Sequence, residues 1–170
     1  MQADSPAPDN DDLQDFYRAY FGVDADYYLY KLAQQQAGTR FTFNLGAFFF
    51  GLFWMLYRKL YVQALAVVAV VTGVSFLLNY LALTQQIAAQ TLQLINNFIA
   101  LFWSLAIGFL GNWLYLRQAK ARVTKMLQKE KDEEQAALRL QRQGSITYLP
   151  HILLAALFLV YLLLNQFLGR

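Results

Sequence analysis

Cysteine is absent from the sequence and histidine occurs once, at His151. Disulfides, a thiolate nucleophile and Cys-ligated metal are thereby excluded. One histidine cannot assemble a zinc site, and no HExxH, GxSxG or Walker pattern is present, so His151 reads as an interfacial hydrogen-bonding residue. No catalytic, cofactor-binding or metal-binding residue is expected, and the expectation is a protein that is not an enzyme. Charge is the second scarcity. Leu60 to Leu116 contains no Asp, Glu, Lys, Arg or His, and the acidic residues fall only in Asp4 to Asp26 and Glu130 to Glu134. Soluble domains do not keep such a run free of charge.

What fills the space is apolar: 58% of the 170 residues are hydrophobic and 15% charged. That balance lies outside the soluble norm and predicts an all-α, multi-pass helical membrane protein. The net charge of +3 is a topological signal, not a nucleic-acid one, because the basic residues cluster beside apolar segments. The acidic N-terminus lacks the positive and apolar regions of a secretory signal, which leaves targeting to the first membrane segment.

Residues 1–10 read as a disordered acidic tail. Residues 11–38 hold two short cytoplasmic amphipathic helices. Leu13, Phe16, Tyr17, Tyr20 and Phe21 form one stripe ending at Gly22; Tyr28, Leu29 and Leu32 form the next, with Asp24 as its N-cap and Gly38 past its end. Helices this short are marginal alone in water, so they must dock on the membrane surface or on the rest of the protein.

Residues 41–59 form the densest stretch. From Phe41 to Tyr61 the chain reads FTFNLGAFFFGLFWMLYRKLY, with nine aromatic side chains, two glycines and the pair Arg58 and Lys59 before the long apolar run. If it spanned, the next segment would have to reverse on two cationic residues; if it ran straight on, the helix would be about 60 Å long, twice the hydrocarbon core. A bend near Arg58 resolves both. The expectation is an aromatic helix that is interfacial or re-entrant, with Gly46 and Gly51 permitting close approach or a break, and with Phe49, Phe53, Tyr57 and Tyr61 sharing a face.

Residues 60–83 and 94–116 are predicted transmembrane helices, joined by an uncharged external loop at 84–93. Arg58 and Lys59 precede the first; Arg117, Lys120, Arg122 and Lys125 follow the second, so both flanks are cytoplasmic. Residues 117–147 form a charged cytoplasmic helical segment. Leu116, Ala119, Val123 and Met126 keep a three-four spacing that resumes at Ala137 and Leu140 but is interrupted by Glu130 and Glu133, which points to a helical hairpin or a bent helix. A pair between Lys129 and Glu133 is available at i,i+4. Residues 148–168 make the third transmembrane helix, with Pro150 in its first turn and Arg170 left outside.

Trp54, Tyr57, Arg58, Lys59 and Tyr61 are either interfacial anchors or a site for an anionic lipid head group. Ala100, Ser104, Gly108 and Asn112 recur every four residues, with Ala69 and Gly73 as a matching notch, and read as helix-packing positions. The apolar helices also carry amides, Gln63, Asn79, Asn96 and Asn97 among them, but no acid or base to relay protons.

The stretches DADYYLYKL and FNLGAFFFGLFWMLYRKLY resemble a bacterial membrane-protein family known as domain of unknown function 2628. The similarity falls on Phe43, Asn44, Ala47, Phe48, Phe49, Trp54, Tyr57, Arg58, Lys59 and Tyr61, and again on Gly111, Asn112 and Tyr115. The resemblance implies a bacterial inner-membrane location and brings no activity.

The expected role is therefore a membrane interaction or scaffold component whose cytoplasmic face docks a partner; an oligomeric pore for small solutes is the alternative. Expected partners are the lipid bilayer with anionic head groups, and a cytoplasmic protein or a second copy of the chain, with no nucleic acid and no cofactor.

Overall fold

The computed structural model describes residues 10–84 and 87–168, all of them in helices, turns and short connections, with no strand among them. Of the expected 1–10 tail, residues 1–9 lie outside the described residues and Asn10 opens the first helix; Gln85 and Gln86 of the expected external loop, Gly169 and Arg170 also lie outside them. The helices are α1 (Asn10–Phe21), α2 (Ala25–Gln36), α3 (Leu45–Tyr57), α4 (Tyr61–Thr84), α5 (Ala89–Lys129), α6 (Glu133–Gln143) and α7 (Leu149–Leu168), with a 3-10 turn at Gly22–Asp24. The chain divides into two compact units.

The first unit comprises residues 10–42 and 112–146. Its core is built from the two tyrosine-rich helices together with α5 and α6. Phe16, Tyr17, Tyr20 and Phe21 of α1, Ala25, Tyr28 and Leu32 of α2, Tyr115, Leu116, Ala119, Val123 and Met126 of α5, and Ala136 and Leu140 of α6 are all buried. The ring of Tyr115 lies 4.6 Å from Tyr28, 5.7 Å from Phe21 and 6.0 Å from Tyr20, separations at which aromatic pairs attract. The short helices thus dock on protein.

Local chemistry sets their ends. Gly22 (φ 65°) and Gly38 (φ 99°) take left-handed conformations; after α2, Thr39 N–H donates to Gln34 O at 2.9 Å and Gly38 N–H to Gln35 O at 3.2 Å, a Schellman closure. Asp24 stands at the N-cap of α2, but its side chain makes no capping bond there because its backbone still belongs to the 3-10 turn (φ −101°, ψ 29°). The charged segment resolves as a helical hairpin. α5 ends at Lys129, and α6 starts behind Asp132, whose carboxylate accepts from Gln135 N–H at 3.2 Å. Lys129 and Glu133 therefore lie on separate helices. α6 closes at Gly144, against the Tyr20 carbonyl, which accepts from Ser145 N–H at 2.6 Å.

The second unit comprises residues 43–111 and 147–168. Tyr61–Thr84, Ala89–Lys129 and Leu149–Gln166 are three helices long and apolar enough to cross a membrane; their most apolar windows are only 6%, 17% and 0% buried by the protein itself. Helices apolar all round and uncovered by protein belong in lipid.

Candidate functional site

α3 is the element that departs from regular geometry. Gly51 has φ 48° and ψ −116° inside the assigned helix, which divides it into halves of six residues, each about 9 Å long at 1.5 Å per residue. The halves fold back on each other. A Cβ built on Gly46 would sit 3.3 Å from Trp54 Cδ1, although eight residues of straight helix would separate these positions by about 12 Å. Gly51 therefore makes a hairpin tip, and Phe49, Phe50 and Phe53 around it are exposed. The break also removes the shared face expected for Phe49, Phe53, Tyr57 and Tyr61, since Phe49 lies before it and Tyr61 beyond the next turn.

Within the unit, α5 and the residues from Thr147 to His151 hold the hairpin. At its start Asn44 caps α3, its Oδ1 accepting from Ala47 N–H at 2.8 Å, while its own N–H donates to Gly108 O on α5 at 2.9 Å. Gly108 and Gly111 are the landing surface: a Cβ at Gly108 would meet the Phe43 ring at 2.7 Å, and one at Gly111 would meet Ala47 Cβ at 2.8 Å and the Trp54 ring at 3.3 Å. At its end Tyr57 O accepts from Thr147 N–H at 3.0 Å, Phe53 O lies 3.0 Å from His151 Nε2, and the Tyr57 and Tyr148 rings meet edge to face.

The turn into α4 is a Schellman closure. Leu60 N–H donates to Met55 O at 2.8 Å and Lys59 N–H to Leu56 O at 3.1 Å, with Met55 and Leu60 both fully buried. Lys59 occupies the left-handed position (φ 58°) that glycine usually fills. Burial of its stem depresses the ammonium pKa below the ordinary lysine value. Arg58 is 5% exposed and stacks on the Tyr57 ring at 5.2 Å; Trp54 is buried and Tyr61 is 47% exposed. The candidate residues of this stretch are thus brought together, but Arg58 lies inside the packed unit, not at its rim.

A family model described as protein of unknown function (DUF2628) matches residues 12–121. The chain belongs to this family. The match takes in α1 to α4 and α5 as far as Ala121, so the DUF2628 portion contains the hairpin and its glycine seat, while α6 and α7 follow it. No curated protein and no solved structure matches the chain.

The remaining packing positions distribute unevenly. Gly108 and Asn112 are buried and Ser104 half-buried, whereas Ala100, Ala69 and Gly73 are exposed, with nothing within 4 Å of a Cβ built at Gly73. Asn112, in the first unit, is a polar hub: its Nδ2 donates to Thr42 Oγ1 at 2.9 Å, Tyr27 Oη at 3.1 Å and Thr42 O at 3.3 Å. Sequence reasoning placed Asn112 on a small-residue face and missed these partners, because Thr42 and Tyr27 are 70 and 85 residues away. It also missed an open groove of about 400 Å³ between α1 and α2, lined by Leu13, Gln14, Tyr17, Leu29, Leu32, Ala33 and Gln36. Among the described residues no group of three or more His, Cys, Asp or Glu side chains gathers into a metal-binding set.

Proposed function

We propose that the protein is a membrane-embedded docking component of a bacterial inner membrane, with its first unit in the cytoplasm presenting the α1–α2 groove to a protein partner. The observation that carries this reading is the groove itself. Two helices that turn their aromatic faces to an internal core still leave an open, mixed apolar and amide surface between them, lined by Leu13, Leu29 and Ala33 beside Gln14 and Gln36. Apolar residues lining a concavity suit a partner side chain or helix. The orientation follows from the basic residues after α5, which favour the cytoplasmic side, and α3 then acts as a re-entrant aromatic piece.

Native mass spectrometry of the protein extracted with its surrounding lipid tests the reading. A heteromeric complex is expected, and Ala33→Arg, which fills the groove with a charged side chain, is expected to dissociate it. A complex that persists unchanged with Ala33→Arg would rule the groove out as the docking face.

A second reading, an oligomeric permeation component, draws on the exposed small residues Ala69, Gly73 and Ala100, which leave apolar helix faces open to a second copy. Its signature is a homo-oligomer with solute flux in liposomes; flat flux across ions and small solutes counts against it.

A further inference from the structure

Between the last turns of α5 and the returning α6 lies a cleft of about 190 Å³, lined by Arg122, Lys125, Met126, Lys129, Arg139 and Gln143. Arg122, Lys125 and Lys129 are spaced three and four apart, which puts them on one face of α5. Arg139 enters from the opposite wall. Its guanidinium is held 2.9 Å from Glu130 Oε2, and Arg122 Nη1 approaches Gln143 Oε1 at 3.5 Å. Met126, 6% exposed, lies among them as an apolar floor.

A topological signal alone does not require this arrangement. Positive residues orient a helix by their number near its end, whatever they face. Here the two basic residues nearest the apolar run are engaged elsewhere: Arg117 stacks on Trp113 at 5.3 Å, and Lys120 Nζ donates to Gln35 Oε1 at 2.7 Å. The next three, though solvent-exposed, line one concavity together with Arg139. Like charges so placed repel, and the arrangement is stabilised when an anion sits among them. At about 30 Å³ per water-sized group, the open cleft has room for roughly six such groups, enough to seat a phosphate and its first ester carbons. Two guanidinium forks suit the oxygens of a phosphate, two ammonium groups add point charge, and the methionine floor accepts the ester carbon.

We propose that the α5–α6 cleft is a binding site for a phosphate monoester, carried either by a lipid head group or by a soluble molecule. Arg122, Lys125, Lys129 and Arg139 neutralise the dianion, and Glu130 competes with the ligand for Arg139. The site is independent of the α1–α2 groove, so either can fail without the other.

The test uses the full chain in phosphatidylcholine nanodiscs, titrated calorimetrically with glycerol phosphate as the soluble probe and with dihexanoyl phosphatidic acid as the lipid probe. Saturable, salt-sensitive binding of one probe or both is expected, and the stronger of the two identifies the source. Lys125→Gln with Arg139→Gln is expected to weaken it by at least about tenfold, the loss of one charge-assisted hydrogen bond or more. Lys131→Gln, which removes a charge outside the cleft, is expected to leave it unchanged. Glu130→Gln, which frees Arg139 without altering the helix, is expected to tighten binding. Absence of saturation by either probe, equal loss with Lys131→Gln, or weakening by Glu130→Gln in a normally folded protein would overturn the proposal.

Discussion

Asn112 shows how much a single buried amide can determine. Its side chain is 1% exposed and ties α5 to the Thr42 backbone and hydroxyl and to Tyr27. Replacement by the similarly sized Leu would strand those partners, and Asn112→Leu is expected to cost about 1–3 kcal/mol, read as a lower midpoint of thermal unfolding in detergent. Glycines separate by neighbour in the same assay. Gly111→Ala drives a methyl against Ala47 Cβ and the Trp54 ring and is expected to destabilise by about 1–3 kcal/mol. Gly73→Ala meets open space on a helix interior and is expected to stabilise slightly, by up to about 1 kcal/mol. The tyrosine core adds a pH dependence. Burial raises the Tyr17 and Tyr20 phenols above the usual 10.0, in Tyr20 against the opposing pull of the Gln118 hydrogen bond and the Arg122 charge. A raised phenol means that folding favours the neutral form. The stabilisation is complete below about pH 10 and is lost as pH rises through the raised values, so helical signal and tyrosinate absorbance are expected to change together above pH 10.

At the scale of the element, α3 is where regular helix gives way to a hairpin. An L side chain at Gly51 (φ 48°, ψ −116°) is strained by about 1–3 kcal/mol, and Gly51→Ala is expected to favour an opened hairpin. Spin labels on cysteines at Leu45 and Leu56 report this directly. In the native chain their backbone separation is expected to be shorter than the roughly 17 Å that eleven residues of straight helix impose, and Gly51→Ala is expected to lengthen it. Much of this element was legible: the two glycines, the aromatic crowding and the Arg58–Lys59 bend all follow from the sequence. The fold-back was not, because it depends on Gly108 and Gly111 of α5 offering a seat for Phe43, Ala47 and Trp54, and helical spacing within one segment carries no information about its neighbour. The same limit applies to the basic residues after α5. Their number was evident from the sequence, but their convergence with Arg139 depends on where α6 turns back.

For the whole molecule, the first unit constrains the path of the chain across a bilayer. Residues 10–42 and 112–146 share one core, in which Tyr20 and Phe21 pack on Tyr115 and the Tyr20 carbonyl binds Ser145 N–H. Both segments must therefore lie on the same side, and the chain between them must cross an even number of times. α4 and the apolar part of α5 are each long and apolar enough to span, and together they would make two crossings. A third crossing by α3 would place the halves of that core on opposite faces. Its six-residue halves, each about 9 Å long, also fall short of the ~30 Å of hydrocarbon. The cysteine-free sequence makes this directly measurable. In single variants Gln36→Cys, Ala88→Cys, Gln141→Cys and Gln166→Cys, a membrane-impermeant maleimide added to intact cells is expected to label positions 88 and 166 and to reach 36 and 141 only after permeabilisation. If positions 36 and 88 labelled alike, α3 would be a crossing and the shared core could not form. If position 166 behaved like 141, α7 would return to its starting face, although its 18-residue stretch Leu149–Gln166 is long and apolar enough to cross.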